Sequence, residues 1–384
     1  MDFIKRFVPE RGCAMMKILK LRRLWLLLAY PAAFAATLYA SSHEEAAERY
    51  ARGPYAALSH AGNFLTGLAP FSVGEILVYL LAACLTAFLV RTIVRTVRGK
   101  GRRAETILKF FVSLLCFGGV VYLLFTVNCG INYYRSTFAQ TCGLPVKPSS
   151  AAELTRLCGN LANDANAQRA HVATDSEGVM KLSTRDYFQT AQQARQSFNL
   201  LSADYPLLPS GYSAPKPVLS SRLMSRCNLT GMFFPFTFEA NVNTDAPEYT
   251  IPVTMCHELS HLRGFMREDE ANFIGYLACE KSKSADFKYS GTMLAFTYAS
   301  NALLAADEKA DAKVWSSLNE GVKKDLAYNS AYWKQFEGPV AKISDSVNNS
   351  YLKANRQSDG VRSYGRMVDL LLALQRKEEA PAKK

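Results

Sequence analysis

Three long apolar stretches stand in the first third of the chain, and short charged segments separate them. They run at about residues 24–40, 73–94 and 110–131. Each approaches the roughly 20 mostly apolar residues that a helix needs to cross a bilayer. The third lies in a run without any charge from Phe110 to Tyr134. This pattern predicts an N-terminal membrane region over residues 1–135 with three transmembrane helices.

The pattern changes to that of a folded domain after residue 135. A linker rich in small and turn-forming residues covers 136–150. Apolar residues then recur at helical spacing from Ala151 to about Ala170, which predicts a helix. Two further helices are predicted at Thr184–Ala203 and around Ser363–Gln375. A charged tail at 376–384 is typical of disorder.

One segment before the middle of the domain has the pattern of a strand. Thr230–Asn243, TGMFFPFTFEANVN, is aromatic and alternates between apolar and polar residues. Pro235 has no amide donor, so the strand should lie at a sheet edge. We therefore expect residues 151–375 to form a mostly α-helical (α+β) domain with a small edge-stranded sheet.

The distribution of charge indicates a membrane protein and argues against a nucleic-acid partner. The formal net charge is +12. Nearly all of it comes from residues 1–23 and 91–109, whereas the part from residue 128 onward is almost balanced. A nucleic-acid groove requires a basic face on the folded domain itself. The lipid bilayer is therefore the partner that the charge pattern supports.

Basic residues beside membrane helices mark the cytoplasmic side. Both basic clusters should therefore face the cytoplasm, which predicts a multi-pass plasma-membrane protein with a cytoplasmic N-terminus and an extracytoplasmic domain. The alternative for the first apolar segment is a cleaved signal peptide, because Ala33–Ala35 fits a small-x-small cleavage site. That alternative leaves the domain on the same side.

Six of the nine cysteines lie in the predicted extracytoplasmic part. Disulfides persist there, but six cysteines allow 15 pairings, and sequence does not choose among them. None has zinc-finger spacing, so the cysteines are interpreted as disulfides or buried thiols.

A group of candidate metal ligands follows the predicted strand, in Cys256–Phe273, CHELSHLRGFMREDEANF. On a helix, His257 and His261 differ by about 40° around the axis and project from one face. Two imidazoles at this spacing can bind one zinc ion. Glu258, rotated by about 100°, lies beside the metal and can accept a proton from water. The alternative is an amphipathic helix whose histidines only pack.

A catalytic zinc site has three protein ligands and one open position. Gly264 follows the motif where a helix would end in a left-handed cap, and a second helix could begin near Arg267. That helix would bring both Glu268 and Glu270 within reach. The residues alone leave these two glutamates open as the third ligand. The acids that do not bind metal would favour the helix start electrostatically.

Three segments together resemble a known family: PFTFEANVN, HELSHLRGF and REDEANFIGYLAC. They are similar to bacterial membrane proteins of domain of unknown function 3810, which have N-terminal crossings and a candidate zinc-peptidase domain. The likeness extends from PFSVGEIL at Pro70 to SYGRMVDLLLA at Ser363. It implies a zincin-like domain and zinc peptidase chemistry, and it implies no substrate.

More distantly, the histidine motif with EDEANF is similar to gluzincin peptidases. In those enzymes a Glu-x-x-Ala-Asp/Asn pattern supplies the glutamate ligand, and the residue four later orients a histidine ligand. The resemblance implies Glu268 as the third ligand, with Glu270 as the alternative. It implies that Asn272 supports an imidazole from behind.

Further residues are candidates for contact with substrate. An edge strand beside the metal helix can pair with an extended peptide, so Glu239, Asn241 and Asn243 could line the cleft. The alternative is an ordinary structural strand. Tyr364 is a candidate donor to the oxyanion, against the alternative of a tyrosine that packs between helices.

These patterns predict a membrane-anchored zinc metallopeptidase that hydrolyses peptide bonds of extracytoplasmic peptides or proteins, with Zn2+ as cofactor. His257, His261 and Glu268 would hold the metal, and Glu258 would act as the base. One alternative is a non-catalytic envelope scaffold or sensor with a structural metal. Another is an amidase acting on cell-wall peptides.

Overall fold

The structure is a computed structural model that describes residues 22–99 and 101–379. Residues 1–21, which hold most of the basic segment predicted at the N-terminus, lie outside the described residues. Lys100 and residues 380–384 of the predicted tail also lie outside them.

Helices account for most of the described chain, and strands are few and short. The α-helices are α1 (Ala29–Ser42), α2 (Glu44–Tyr50), α3 (Ala56–Gly67), α4 (Val73–Arg98), α5 (Arg103–Asn128), α6 (Phe138–Cys142), α7 (Ala151–Arg169), α8 (Tyr187–Asp204), α9 (Ser221–Arg226), α10 (Ile251–Leu262), α11 (Glu268–Glu280), α12 (Ala285–Ala306), α13 (Glu308–Ser317), α14 (Glu320–Lys334), α15 (Pro339–Ala354) and α16 (Met367–Glu379). The strands are β1 (Ala173–Thr174), β2 (Met180–Lys181), β3 (Lys216–Pro217), β4 (Gly231–Phe234) and β5 (Glu239–Val242). Tighter 3-10 segments lie at Arg22–Leu28, Gly130–Tyr134, Glu248–Thr250 and Gly360–Arg366, and a π-helical turn at Ala51–Tyr55 joins α2 to α3.

Three helices near the N-terminus are long and apolar enough to span a membrane, as predicted. They cover Arg23–Ser42, Val73–Arg98 and Arg103–Asn128. The first packs against the third, where the Tyr30 hydroxyl donates to the Leu115 carbonyl over 3.1 Å. The small-x-small sequence at Ala33–Ala35 lies inside α1.

The segment between α1 and α4 folds onto the C-terminal domain. Glu48 forms an ion pair with Arg135 at 2.9 Å, and the fully buried Tyr55 donates to the His261 carbonyl at 3.2 Å. Asn63 donates to the Phe238 carbonyl at 2.8 Å. This segment and the chain after α5 therefore lie at the same ends of the membrane helices. These contacts cross the predicted boundary at residue 135, and we refer to this segment and the C-terminal domain together as the packed unit.

The strand predicted over Thr230–Asn243 is a hairpin, and in this respect the prediction was wrong. β4 pairs antiparallel with β5, with Gly231 opposite Val242, and β5 also pairs with β3 in parallel, in the order β3-β5-β4. Pro235 lies in the connecting turn and not on an edge strand. The alternating phenylalanines therefore belong partly to a strand and partly to a turn, where Phe238 adopts a positive φ of 51°.

Most predicted helices are present, with shifted ends. The helix predicted from Ala151 is α7, and its predicted apolar positions are buried. The helix predicted from Thr184 begins at Tyr187, because Asp186 accepts from the Phe188 amide and caps it. The last predicted helix begins at Met367 after a 3-10 segment.

The structure also bears on the predicted disordered tail and on the two alternatives for the cysteines. The last helix, α16, runs to Glu379, so residues 376–379 of the predicted disordered tail are helical. The Arg376 side chain is held there by Glu153 at 2.8 Å. All eight cysteines among the described residues are thiols, so the disulfide alternative is not realised in them.

Glu239 ties the hairpin to the start of membrane helix α4. Its carboxylate forms an ion pair with Lys216, and both side chains are buried. It also accepts hydrogen bonds from the backbone amides of Val73 (3.0 Å) and Gly74 (2.6 Å). These amides at the positive end of α4 have no partner within the helix, so a carboxylate there stabilises the helix start.

Replacing Glu239 should therefore destabilise the fold. We expect Glu239→Ala to cost about 3–5 kcal/mol, because it leaves the Lys216 ammonium buried without its partner. Thermal unfolding of the purified full chain in detergent measures this. The control is Glu177→Ala, since Glu177 is exposed. Equal unfolding temperatures for the two variants would show that the ion pair contributes nothing.

Candidate metal centre

The helix α10 carries the histidine pair, and its ends are set by the local sequence. Pro252 occupies its first turn, where a missing amide costs nothing. Gly264, with a φ of +83°, ends it in the predicted left-handed cap, and its amide donates to the His261 carbonyl at 2.9 Å. The cap reverses the chain, and α11 begins at Glu268, next to Arg267, as predicted.

Helices α10 and α11 approach very closely where they face the metal ligands. A Cβ atom at Gly275 would lie 3.1 Å from the His257 backbone nitrogen, which is tighter than ordinary packing. Glycine at this position lets the backbone of α11 approach that of α10. This brings Glu268 and Asn272 to the histidines.

The structure brings His257, His261 and Glu268 together at one point. The Nε2 atoms of the histidines are 3.0 Å apart, and Glu268 Oε2 lies 3.2 Å from that of His257 and 3.5 Å from that of His261. All three ligand atoms lie within 4.8 Å of one another, and all three residues are buried or nearly so. This group could hold a metal ion.

The hydrogen bonds behind the histidines fix which nitrogen faces the group. His261 Nδ1 lies 2.8 Å from the Phe265 carbonyl, which can only accept, so Nδ1 carries a proton. His257 Nδ1 lies 2.8 Å from Asn272 Oδ1, which accepts in the same way. In the neutral rings both Nε2 atoms therefore present lone pairs to each other and to the carboxylate. A shared cation satisfies such a set of three acceptors, so the residues present fit a metal ion.

The electrostatics of the same group show a site that favours positive charge. Burial opposes ionisation of Glu268, but the adjacent His261 and His257 outweigh it and lower the pKa of Glu268 to about 2. Burial likewise opposes a charged His261, but the Glu268 carboxylate outweighs it and raises the pKa of His261 to about 9. Positive charge at this point is thus stabilised by the buried carboxylate.

Glu258 lies beside the ligand group and does not belong to it. It is buried, and its Oε2 has no hydrogen-bond partner among the described residues. Burial raises the pKa of Glu258, whereas the two histidines and the Phe233 backbone amide act in the opposite direction. A Cβ at Gly231 would collide with Oε1, so glycine there makes room for the carboxylate.

Glu270 points away from the ligand group. Its carboxylate accepts from the Phe138 amide at 2.7 Å and pairs with Arg267 at 3.2 Å. Residues two apart on a helix differ by about 200°, so Glu268 and Glu270 face opposite sides of α11. In this structure Glu270 anchors the segment that follows the third membrane helix.

Comparison with known proteins gives one result. The family described as "Protein of unknown function (DUF3810)" matches residues 50–372, most of the chain. The chain belongs to the DUF3810 family. No curated protein and no solved structure shows a significant match.

In this DUF3810 protein a cavity of about 560 Å³ opens beside the candidate metal group. His257, Glu258, Asn272 and Tyr364 line it. The Tyr364 ring stacks near His257, with centroids 6.5 Å apart. The remaining wall includes the neutral polar or aromatic residues Asn228, Thr230, Thr254, Thr297, Tyr298, Asn329, Trp333 and Asn348, together with apolar residues and Asp345.

The three candidate cleft residues of the DUF3810 hairpin do not line this cavity. Glu239 is buried in its ion pair, and Asn241 donates to the Met232 and Glu239 carbonyls. Asn243 donates to Ser225 and to the Leu229 carbonyl. The reason is that they belong to the central strand β5 or its end, whereas Gly231 of the edge strand β4 faces the cavity.

Sequence reasoning missed two tyrosines at the site of this family member. Tyr298 lines the cavity and hydrogen-bonds Asn272, and burial raises its pKa to about 12. Tyr55 supports the carbonyls of His261 and Leu262 from the segment between the first two membrane helices. Neither lies in a motif, and Tyr55 is 206 residues away from His261.

Metal content of two matched variants tests the ligand assignment. We expect Glu268→Gln to lose about 10-fold or more in metal affinity, because it removes the anionic ligand. Glu270→Gln should retain wild-type affinity, because its side chain faces away from the group. Chelator competition on the purified full chain, with bound metal quantified by mass spectrometry, measures both. If Glu270→Gln lost metal affinity and Glu268→Gln retained it, the third ligand would be Glu270.

Proposed function

We propose that this protein is a membrane-anchored zinc metallopeptidase. One observation carries the proposal: three buried acceptors converge on one point, and a fourth buried side chain, Glu258, stands beside them with an unpartnered carboxylate oxygen. A structural metal site has no use for that carboxylate, since its ligands close the coordination shell. A hydrolytic site requires a base in this position.

The residues of the candidate metal centre fall into two groups, those that would bind the metal and the one that would transfer a proton. His257, His261 and Glu268 would hold the metal, and Asn272 and the Phe265 carbonyl orient the two imidazoles. When bound, zinc supplies Lewis acidity that polarises a carbonyl and makes water acidic near neutral pH. Glu258 accepts the proton of the attacking water and passes it to the leaving amine.

The edge strand β4 is suited to hold an extended peptide. The backbone amide of Asn243 donates to the Thr230 carbonyl. The main-chain groups of Thr230 and of every second residue after it therefore form the hydrogen bonds to β5. The main-chain groups of Gly231 and Phe233 then face away from β5, and the Phe233 amide meets Glu258. A substrate strand beside β4 would place its peptide bond next to the base.

Tyr364 supports this arrangement as a neutral hydrogen-bond donor. Burial raises the pKa of Tyr364 well above its usual value, and the Glu268 charge adds to this effect. The phenol therefore keeps its proton at any physiological pH. From the cavity wall beside His257 it would donate to the oxygen that becomes negative during attack.

The proposed substrates are extracytoplasmic peptides or proteins. The packed unit lies at one end of α4 and α5, and the basic residues Arg95, Arg98, Arg102 and Arg103 lie at the other. Positive charge marks the cytoplasmic end, which supports an extracytoplasmic site.

A second candidate is an amidase that cleaves cell-wall peptides. The cavity favours it in one respect. No lysine or arginine lines it among the described residues, and the amide, hydroxyl and aromatic side chains on its wall can hydrogen-bond to and stack against a polar peptide. The zinc chemistry and the role of Glu258 would be the same.

The variant Glu258→Gln tests for hydrolysis. We expect it to keep the bound metal and to lose peptide cleavage by about 10²–10⁴-fold, because the amide cannot accept the proton. Cleavage of a peptide library and of cell-wall fragments by the purified full chain, read by mass spectrometry, measures activity. Glu320→Gln, at an exposed position, is the matched control. A wild type that binds metal and cleaves neither substrate class would favour a scaffold or sensor.

Cysteine labelling tests the orientation. We expect a membrane-impermeant thiol reagent to label His171→Cys in intact cells and to label Arg103→Cys only after lysis, because both positions are exposed but lie at opposite ends of the membrane helices. The unmodified chain gives the background from native thiols. Labelling of Arg103→Cys in intact cells would invert the topology.

A further inference from the structure

We propose that helix α15 (Pro339–Ala354) lies in the headgroup region of the bilayer leaflet on the domain's side, with its apolar stripe against the lipid. This position of α15 adds a peripheral membrane contact to those of the three spanning helices. It is independent of whether the cavity is catalytic.

The stripe consists of Val340, Ile343, Val347 and Tyr351. At about 100° per residue these positions fall within an arc of about 80° on α15. The first three are 54%, 64% and 64% exposed in the isolated chain. Lys342 and Lys353 lie on a different flank. Val340, Ile343 and Val347 leave most of their surface uncovered by the described chain, and an exposed apolar stripe with lysines on the polar face is the pattern of an interfacial helix.

The C-terminal end of α15 touches a membrane helix directly. The Tyr351 ring meets the ring of Phe125, with centroids 6.0 Å apart. Phe125 lies in the last turn of α5, which ends at Asn128. The Tyr351 hydroxyl is 2.9 Å from that of Tyr133, just after α5. The stripe therefore continues the surface of α5 at the level where α5 leaves the bilayer.

A chain of contacts links the other end of α15 to the start of α4. Phe336, three residues before α15, lies under the Arg222 guanidinium at 4.5 Å. Ser220, two residues before Arg222, donates through its amide and hydroxyl to Glu75, in the first turn of α4. Contacts thus link each end of α15 to the domain-side end of a spanning helix, directly for α5 and through Arg222 and Ser220 for α4.

Neighbouring exposed apolar side chains lie at the same level. Leu219, whose amide donates to Glu75 at 2.8 Å, is 81% exposed. Leu68 and Phe71, just before α4, are exposed as well. These residues continue the lipid-facing surface of α4 around the domain. Lipid is therefore the occupant that fits, because this surface is contiguous with one that the spanning helices place in the bilayer.

The same helix also forms a wall of the cavity. Asp345 and Asn348, on a flank of α15 away from most of the stripe, line it together with Glu258. An α15 seated in the headgroups places this cavity at the bilayer surface. A polypeptide that enters the cavity would then do so close to the membrane.

Site-specific photo-crosslinking tests whether the apolar stripe of α15 contacts lipid. The full chain carries a diazirine amino acid at Ile343 or Val347 and is reconstituted in phosphatidylethanolamine–phosphatidylglycerol vesicles. We expect lipid adducts at both positions, with a yield at least about fivefold above that of the same probe at Lys342, because Lys342 faces away from the stripe. A probe at Leu89, in the exposed face of α4, is the positive control.

Mass spectrometry of the adducts distinguishes the outcomes. Lipid adducts at Ile343 and Val347, but not at Lys342, support the proposal. Absence of lipid at both stripe positions while Leu89 gives adducts would overturn it. Crosslinks between two copies of the chain at the stripe would also overturn it and assign the stripe to a dimer interface.

Discussion

The candidate site depends on how closely two antiparallel helices approach each other. Gly264 reverses the chain after α10, and Gly275 lets α11 lie against the backbone at His257. Any side chain at Gly275 would push the helices apart. A Cβ there would lie 3.1 Å from the His257 backbone nitrogen, so the helices would have to shift by a few tenths of an ångström and would carry Glu268 and Asn272 with them. The convergence of Glu268 on the histidines and the hydrogen bond between Asn272 and His257 follow from this contact.

The sequence predicted those features that depend on residues close together in the chain. Long apolar runs predicted three membrane helices, and helical periodicity predicted α7. The histidine spacing together with Gly264 predicted one ligand face and the end of α10. The choice of Glu268 over Glu270 came from the family resemblance. The geometry agrees with it because the two residues face opposite sides of α11.

Contacts between distant parts of the chain could not be predicted in this way. Glu239 was expected in the cleft because its strand preceded the motif. Its actual partners are Lys216 and the first amides of α4, which no pattern associates with it. The alternation of Phe234, Phe236 and Phe238 predicts one strand, although the chain reverses between them. Alternation reports which residues face one side and does not show where the chain reverses.

Tyr55 has a consequence for how the protein is made. It reaches the site helix from a segment synthesised about 200 residues earlier, and it supports two carbonyls that end α10. The C-terminal end of the helix carrying both histidines is therefore supported only when that earlier segment packs against it. A fragment that begins after the linker would lack Tyr55, so the Leu262 carbonyl would lose this donor and the apolar surroundings of Tyr55 would be uncovered. Folding of the site is thus coupled to the packing of a segment that lies between the first two membrane helices.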